Sequence, residues 1–363
     1  MNFTEAQTRF AAERGFFEER GVIIEGARSY LPDEFRRNFN LAMDAYPSLT
    51  TDPNSAVMAM LTTYVDPSIY EVLFSPLKIA EYLGEKKTGD WVTDTAAFPV
   101  VEHTGQTSSY SDWSNNGMSR ANANWPQRQS YNFQTFVMYG DRELARASLA
   151  KLNWVSELDK AAANNLNVNS NLTYAYGVRG LQNYGIMNDP NLPAAITPAT
   201  KAAGGVTWYT SGGTPNATAN EVYNDILALF NALVVANAGL VDADTKMTLA
   251  LGPGPATAFQ FTNSFGLNVK ALLKENFPSL RIVTIPQFGT QTAANNNGNP
   301  AGNLVQLMAD SVEGQQSAFC SFTEKLRTFP IVREASGYKQ KQMSGTWGTI
   351  IRMPVGFQQM LGV

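Results

Sequence analysis

His103 is the only histidine and Cys320 the only cysteine in a chain of 363 residues. Held within hydrogen-bond reach, an imidazole and a thiol form an activated nucleophile, because the imidazole takes the proton that the thiol must lose before it attacks. Both residues lie in apolar, strand-like stretches, "FPVVEHTG" and "SAFCSFT", and neither stretch carries a supporting motif. The reading that needs no chemistry is a half-buried strand histidine and a core cysteine, and it is the stronger one. Zinc needs several His, Cys or carboxylate ligands, and this inventory nearly excludes a His/Cys site. "GPGPAT" at 252–257 lacks the third glycine of a dinucleotide loop, and "GEKKTG" at 84–89 is not a Walker loop. Asp242 and Asp244 in "VDADTK" match two positions of a calcium loop, then fail for want of its glycine and distal glutamate. They read as a turn that ends a helix. No G-x-S-x-G occurs, and the sequons at Asn2, Asn171 and Asn216 are chance in an Asn-rich chain. The expectation is no catalytic residue, no cofactor and no metal.

Hydrophobic residues make up 44% and charged residues only 16%, against the roughly 25% charge of ordinary soluble domains. So little charge fits a surface partly covered in an assembly. A net charge of −4 gives no basic footprint for tight nucleic-acid binding. A lone cysteine excludes an intramolecular disulfide. The first twenty residues are amphipathic and charged, with no apolar signal-peptide core. The longest apolar run, 226–241, is short for a bilayer and broken by Asn231 and Asn237. A soluble intracellular product with no membrane partner is expected.

Any function must then come from how the elements are arranged. The first forty residues are dense in Glu and Arg and carry Phe10, Phe16, Phe17, Phe35 and Phe39, which suits helical arms that grip through aromatic rings. "FPVVEHTGQTSSYSDWSNNG", 98–117, reads as one arm and the tip of a long hairpin, with Asn116-Gly117 as turn residues. Tyr131, Phe133 and Val137 alternate with Asn132 and Gln134, so "RQSYNFQTFVMYG" reads as the returning arm, its apolar face shared with Val100. A two-stranded ribbon of that length is marginal alone in water, so something must cover it.

Ala145, Leu149, Leu152, Val155, Leu158, Ala162 and Leu166 recur at spacings of three and four. They predict one continuous helix over 141–166, N-capped by Asp141 and roughly 35–40 Å long. A second helix starts at Thr218 with Glu221 completing a capping box, and buries Val222, Ile226, Leu229, Phe230 and Leu233. A third is expected at "LNVKALLKENF", followed by the strand "LRIVTI". "SGTWGTIIRMPVGFQQMLGV" reads as a strand stopped by Pro354 and an apolar tail. Between about Asn191 and Asn303 charge is sparse and Gly, Pro, Thr and Asn mark exposed loops. Helices and strands mix without regular alternation, which argues for α+β.

In order along the chain, these pieces resemble the major capsid proteins of tailed bacteriophages with the HK97-like (Johnson) fold. "YVDPSIYEVLFSPLKIAEYLGEKKTGDW" is similar to the segment leading into that family's hairpin, and "VVEHTGQTSSYSDWSNNG" resembles its E-loop. "FVMYGDRELARAS" resembles the start of its spine helix, and "YGVRGLQNYGIMNDPNL" the Gly-[Leu/Ile]-x-Asn turn after it, here Gly185, Ile186 and Asn188. "LALGPGPATAFQF" with "VKALLKENFPSLRIVTIPQF" is similar to its strand–helix–strand surface stretch, and "QKQMSGTWGTIIRMPVGFQQMLGV" to its closing strand. The resemblance spans roughly 60–363.

The resemblance implies an α+β, HK97-like chain in four parts. These are an N-terminal arm (1–60), an E-loop hairpin (93–138), a peripheral domain (61–92, 139–195 and 318–363, with spine helix 141–166) and an axial domain (196–317). It implies a structural protein that self-assembles into pentamers and hexamers of an icosahedral shell around packaged double-stranded DNA. Scaffolding, portal and decoration proteins would be partners, and assembly would take place in the cytoplasm of a bacterial host. Inter-subunit contacts are expected at Phe10, Phe16, Phe17, Val100, His103, Tyr110, Asp112, Trp113, Tyr131 and Phe133. The chain begins at Met1 without the long coiled-coil preamble of some relatives, so scaffolding is expected from a separate protein or from the arm. No position matches the Lys–Asn cross-link chemistry of others. An encapsulin-like compartment is the alternative within the fold, and a phage tail or adhesin-like binding protein the alternative outside it.

Overall fold

The computed structural model describes residues 77–113, 116–149, 152–210, 213–293 and 295–363. The arm at 1–60, with Phe10, Phe16 and Phe17, lies outside the described residues. The chain runs through α1 (Ile79–Leu83), β1 (Glu85–Lys87), β2 (Thr95–Ala97), β3 (Val100–Gln106), β4 (Met118–Asn124), β5 (Gln127–Gln129) and β6 (Tyr131–Gly140). Helices α2 (Asp141–Leu149), α3 (Trp154–Tyr176) and α4 (Ala219–Ala236) follow, then β7 (Met247–Leu251), α5 (Pro253–Thr257), α6 (Val269–Asn276), β8 (Leu280–Thr284) and β9 (Leu304–Ala309). Last come β10 (Ser311–Val312), β11 (Gln315–Gln316), β12 (Ala318–Thr328), β13 (Val332–Glu334), β14 (Gly337–Ile351) and β15 (Phe357–Leu361).

Strand β14 organises one sheet. It pairs antiparallel with β12 on one side and with β6 on the other, while β1 joins β12 in parallel and β13 flanks the start of β14. The β6 pairing runs from Tyr131 opposite Thr346 to Gly140 opposite Gly337. Tyr131–Gly140 is therefore not the returning arm of the hairpin, and Tyr131 and Phe133 share no face with Val100. The alternation read from sequence is present, with Val137 buried and Tyr131 and Phe133 half-buried and stacked at 6.3 Å. Its partner is the closing strand of the same chain. Alternation reports that one face is covered, not by what.

Helix α3 packs across β14 and β6. The expected continuous helix over 141–166 is broken, and the long helix starts at Trp154 and runs ten residues further, to Tyr176. Two bonds account for the break. Leu152 N donates to Ala147 O at 2.9 Å, a five-residue span that closes α2 with a wide turn. The Trp154 indole N–H donates to the Glu143 carboxylate. In an unbroken helix, residues eleven apart lie roughly 16 Å apart along the axis, beyond any such bond. Leu149 keeps the helical rhythm yet is 86% exposed. At the other end Gly177, with φ of 66°, stops α3.

The second sheet, in the order β15-β9-β7-β8, carries α4 and α6 on one face. Thr218 Oγ1 accepts from Glu221 N while the Glu221 carboxylate accepts from Thr218 N, the expected capping box. It launches α4 with Val222, Ile226, Leu229 and Leu233 buried against Met247, Leu249 and Leu251 of β7. Asn268 caps α6, and β8 follows as expected. Asp242 accepts from Thr245 in a tight turn beyond α4, as read. The apolar tail is not a loose end. It is β15, the edge strand beside β9, so the last residues of the chain belong to this sheet rather than to that of β14.

Both faces of the second sheet are buried. Ala250, Leu304 and Met308 point to a second core that also holds Ile79, Tyr82, Tyr174, Ile186, Cys320 and Ile351. Residues from α1, α3 and the β12–β14 strands thus share apolar contacts with β7 and β9. Residues 77–290 and 299–363 form one compact unit on this core.

Candidate functional site

The structure does not bring His103 and Cys320 together. Cys320 lies in β12 between Glu85 of β1 and Thr349 of β14, fully buried. Its Sγ reaches Thr349 Oγ1 at 3.9 Å and Ile79 O at 4.0 Å, and burial pushes its thiol far above the ordinary range. A thiol held protonated is a poor nucleophile. His103 lies in β3, opposite Ala121, and is exposed rather than half-buried, because both faces of its ribbon meet solvent. Among the described residues no cluster of His, Cys, Asp or Glu could hold a metal ion. Changing both residues to Ala should leave assembly intact, with about 1 kcal/mol lost to the small cavity at Cys320 in a denaturant melt. An activity present in the parent and absent from the double variant would restore a catalytic role.

The ribbon of β3 and β4 is exposed along the whole of both strands. Seven residue pairs join them, from Val100 opposite Asn124 to Gln106 opposite Met118. The returning arm is thus Met118–Asn124, and because the pairing ends at Gln106 opposite Met118, Asn116-Gly117 do not close the ribbon as a two-residue turn. Every described residue from 99 to 125 is exposed. Val100, Val101, Tyr110, Trp113, Met118 and Trp125 are among them, Trp113 at 96%. Tyr110 donates its hydroxyl hydrogen to the Asp112 carboxylate at the tip. Of the predicted contact residues, Val100, His103, Tyr110, Asp112 and Trp113 stand together on this ribbon, whereas Tyr131 and Phe133 lie in the body.

The base of the ribbon is held firmly. Strands β2 and β5 pair there, and Phe98 N donates to Pro126 O at 3.0 Å. The Phe98 ring meets Phe319 edge-on at 6.2 Å, over a small core with Trp347 and Ile350. On the other strand Arg128 is only 7% exposed. Its guanidinium donates to Asp189 Oδ2 at 2.6 Å and lies 4.7 Å from the Tyr184 ring centroid. Gln129 bonds to Gln182 and Asn183 of the turn that follows α3. That turn is the Gly185-Ile186-x-Asn188 motif: Gly185 N donates to Asn188 Oδ1 at 2.7 Å, and a Cβ on Gly185 would sit 2.2 Å from the Ala175 backbone. Sequence reading missed Arg128 and Asp189. They are sixty-one positions apart and have no local signal.

The sheet face opposite α3 carries a second open surface. The strand register puts Arg327, Lys339 and Lys341 on one face with Phe136 and Met138, both exposed. Arg327 lies 4.4 Å from the Trp91 ring centroid, Lys341 5.6 Å from Phe329 and Lys339 4.7 Å from Phe136. The face gathers cations and aromatic rings, with Lys339 also paired to Glu334 at 3.7 Å, in a chain that is acidic overall.

Among the described residues the ribbon is exposed on both faces, and Phe136 and Met138 are exposed on the sheet face opposite α3. A family model described as the Pa193 gp26 major capsid protein matches residues 48–362. This chain belongs to the Pa193 gp26 major capsid protein family. The capsid protein has the α+β, HK97-like fold of the tailed-phage shells. Its structure is similar to that of the capsid of Myoviridae phage XM1, at a TM-score of 0.67 and 14% identity, covering 85% of this chain and 100% of the other. It is also similar to the capsid of a native GTA particle, at a TM-score of 0.55 and 11% identity over 90% of this chain and 99% of that one. A third likeness, to a structure from Mycobacterium phage Ogopogo, has a TM-score of 0.52 and 10% identity over 85% and 100% of the two chains. At these identities the likeness is one of fold. No curated protein matches the capsid protein's sequence. None of its described helices is long and apolar enough to cross a membrane.

Proposed function

We propose that the capsid protein closes its shell by laying the β3–β4 ribbon of each copy across a neighbouring copy. The exposure of every described residue from 99 to 125 carries this reading, because a ribbon with two wet faces gains little by standing alone. Covering Val100, Tyr110, Trp113 and Trp125 would remove from water the aromatic side chains of the ribbon and a valine at its base. The open face with Arg327, Lys339 and Lys341 is a fitting receiver, since the ribbon carries Glu102 and Asp112 and its aromatic rings suit the cations. The parts around β14 and around β7–β9 act as the peripheral and axial domains, and capsomers are pentamers and hexamers.

The role is structural and involves no catalysis. Scaffolding and portal proteins join assembly in the host cytoplasm, and packaged DNA is enclosed without a tight binding site, in keeping with a net charge of −4. Sedimentation and light scattering of the purified chain, alone and with the phage's scaffolding protein, should show capsomers or megadalton particles. Monomers under both conditions would overturn the proposal.

A further inference from the structure

We propose that the Arg128–Asp189 pair is an orientation lock that sets the angle of the ribbon on its own subunit, and through it the curvature of the shell. The second half of that statement rests on the assembly reading above. The first half does not.

Every described residue from 99 to 125 is exposed, so among the described residues the ribbon's direction is decided between Phe98 and Gln129. One anchor would leave a swivel, and both strands are anchored, Phe98 on one and Arg128 on the other, with Gln129 bonded beside Arg128 to Gln182 and Asn183. Phe98 is an apolar contact on Phe319, which tolerates sliding. Arg128 is a directional one. One guanidinium nitrogen donates to the carboxylate at 2.6 Å while the group lies 4.7 Å from the Tyr184 ring centroid, and meeting both at once restricts its orientation. Asp189 is itself fixed, its side chain fully buried and its Oδ1 accepting from Asn191 N at 2.9 Å. Asp189 N donates to Gly185 O at 3.1 Å, which ties it to the close-packed turn after α3.

A buried ion pair is weak evidence for stability, because a well-packed apolar pair of similar volume often does as well. Its better-attested use is to specify one arrangement among several. The leverage here is large. Seven residues of β3 extend about 20 Å at roughly 3.4 Å per residue, so a turn of about 10° at the base moves the far end by about 4 Å. That displacement is as large as the spacing on which side-chain contacts depend.

The test places nitroxide labels on the full-length chain at Glu102→Cys on the ribbon and Lys274→Cys on α6. Cys320 stays in place, since its burial keeps it from the reagent. The label-to-label distance distribution is measured in free subunits of the parent, of Arg128→Leu/Asp189→Leu and of Arg128→Lys. A single narrow distribution is expected for the parent and one at least twofold broader for both variants, with unchanged melting for the apolar pair. Equal widths would overturn the lock whether or not particles form. Failure of both variants to fold would make the pair a stability element and overturn it equally. In assembly mixtures where the parent closes uniform particles, the variants should give open or mixed-size ones. Uniform particles from a variant with a broadened ribbon would sever the lock from curvature. A parent that forms no particles would count against the assembly reading and leave the distance test standing.

Discussion

A capsid protein whose residues 99–125 are replaced by Asn-Gly folds normally and forms no closed particles. The replacement joins Phe98 to Pro126, which already face each other across a 3.0 Å backbone bond at the end of the β2–β5 pair. Asn-Gly supplies the positive φ values of a tight turn, and the bond from Phe98 N to Pro126 O holds it, since Pro126 has no N–H to donate in return. The cores formed by the described residues lie outside the deleted stretch: the core shared by α1, α3, β7 and β9, the α4 core, and the Phe98 and Arg128 anchors. The melting temperature should therefore move by a few degrees at most. Assembly should fall by orders of magnitude, because the deleted surface holds Val100, Tyr110, Trp113 and Trp125, and aromatic anchors carry most of the energy of an interface. Electron microscopy of the variant beside its parent decides it. Normal closed particles without the ribbon would remove it from assembly.

The second large effect separates two prolines in one helix. Ala162→Pro lies in the interior of α3, where the side chain is buried. It loses an i→i−4 bond and drives the ring into the preceding turn, costing about 3 kcal/mol or more, enough to abolish soluble expression of a marginally stable fold. Val155→Pro falls in the first turn of the same helix, before the first bond from Glu157 N to Asn153 O. Its N–H has no helical acceptor to lose, so the cost should be about 1 kcal/mol and the protein should stay soluble. A single helix over 141–166 would make both substitutions fatal. Soluble yield and a denaturant melt of the two variants distinguish these cases.

The break that protects Val155 shows where sequence reading stopped. Apolar spacing records that a helix face is greasy, not whose core it meets. Leu149 and Leu152 continue the rhythm of Ala162 and Leu166 while facing outward. The bonds that turn the chain, from Leu152 to Ala147 and from Trp154 to Glu143, leave no periodic trace. The same limit explains β6. Tyr131, Phe133 and Val137 alternate whether their strand pairs with Val100 or with the closing strand, and only long-range packing chooses.

Signals contained within a few residues were legible. The Thr218–Glu221 box, the Asp242 turn and the Gly185–Asn188 turn each depend on neighbours in the chain, and all occur where the sequence puts them. The exposed ribbon was legible in part. Its β-branched outgoing arm marked a strand, but its return at Met118–Asn124, "MSRANAN", has no apolar alternation because neither face is covered by its own subunit. Arg128 and Asp189 were beyond reach, since nothing near either residue announces a partner sixty-one positions away.

Limited proteolysis of free subunits and of assembled particles, side by side, tests the central claim most directly. The described residues of the ribbon's tip, 107–113 and 116–117, are exposed, so free subunits should be cut there. In particles a neighbouring copy should cover it and the same cleavage should stop. Equal cutting in both states would mean that no neighbour covers the ribbon and that the shell closes by other contacts.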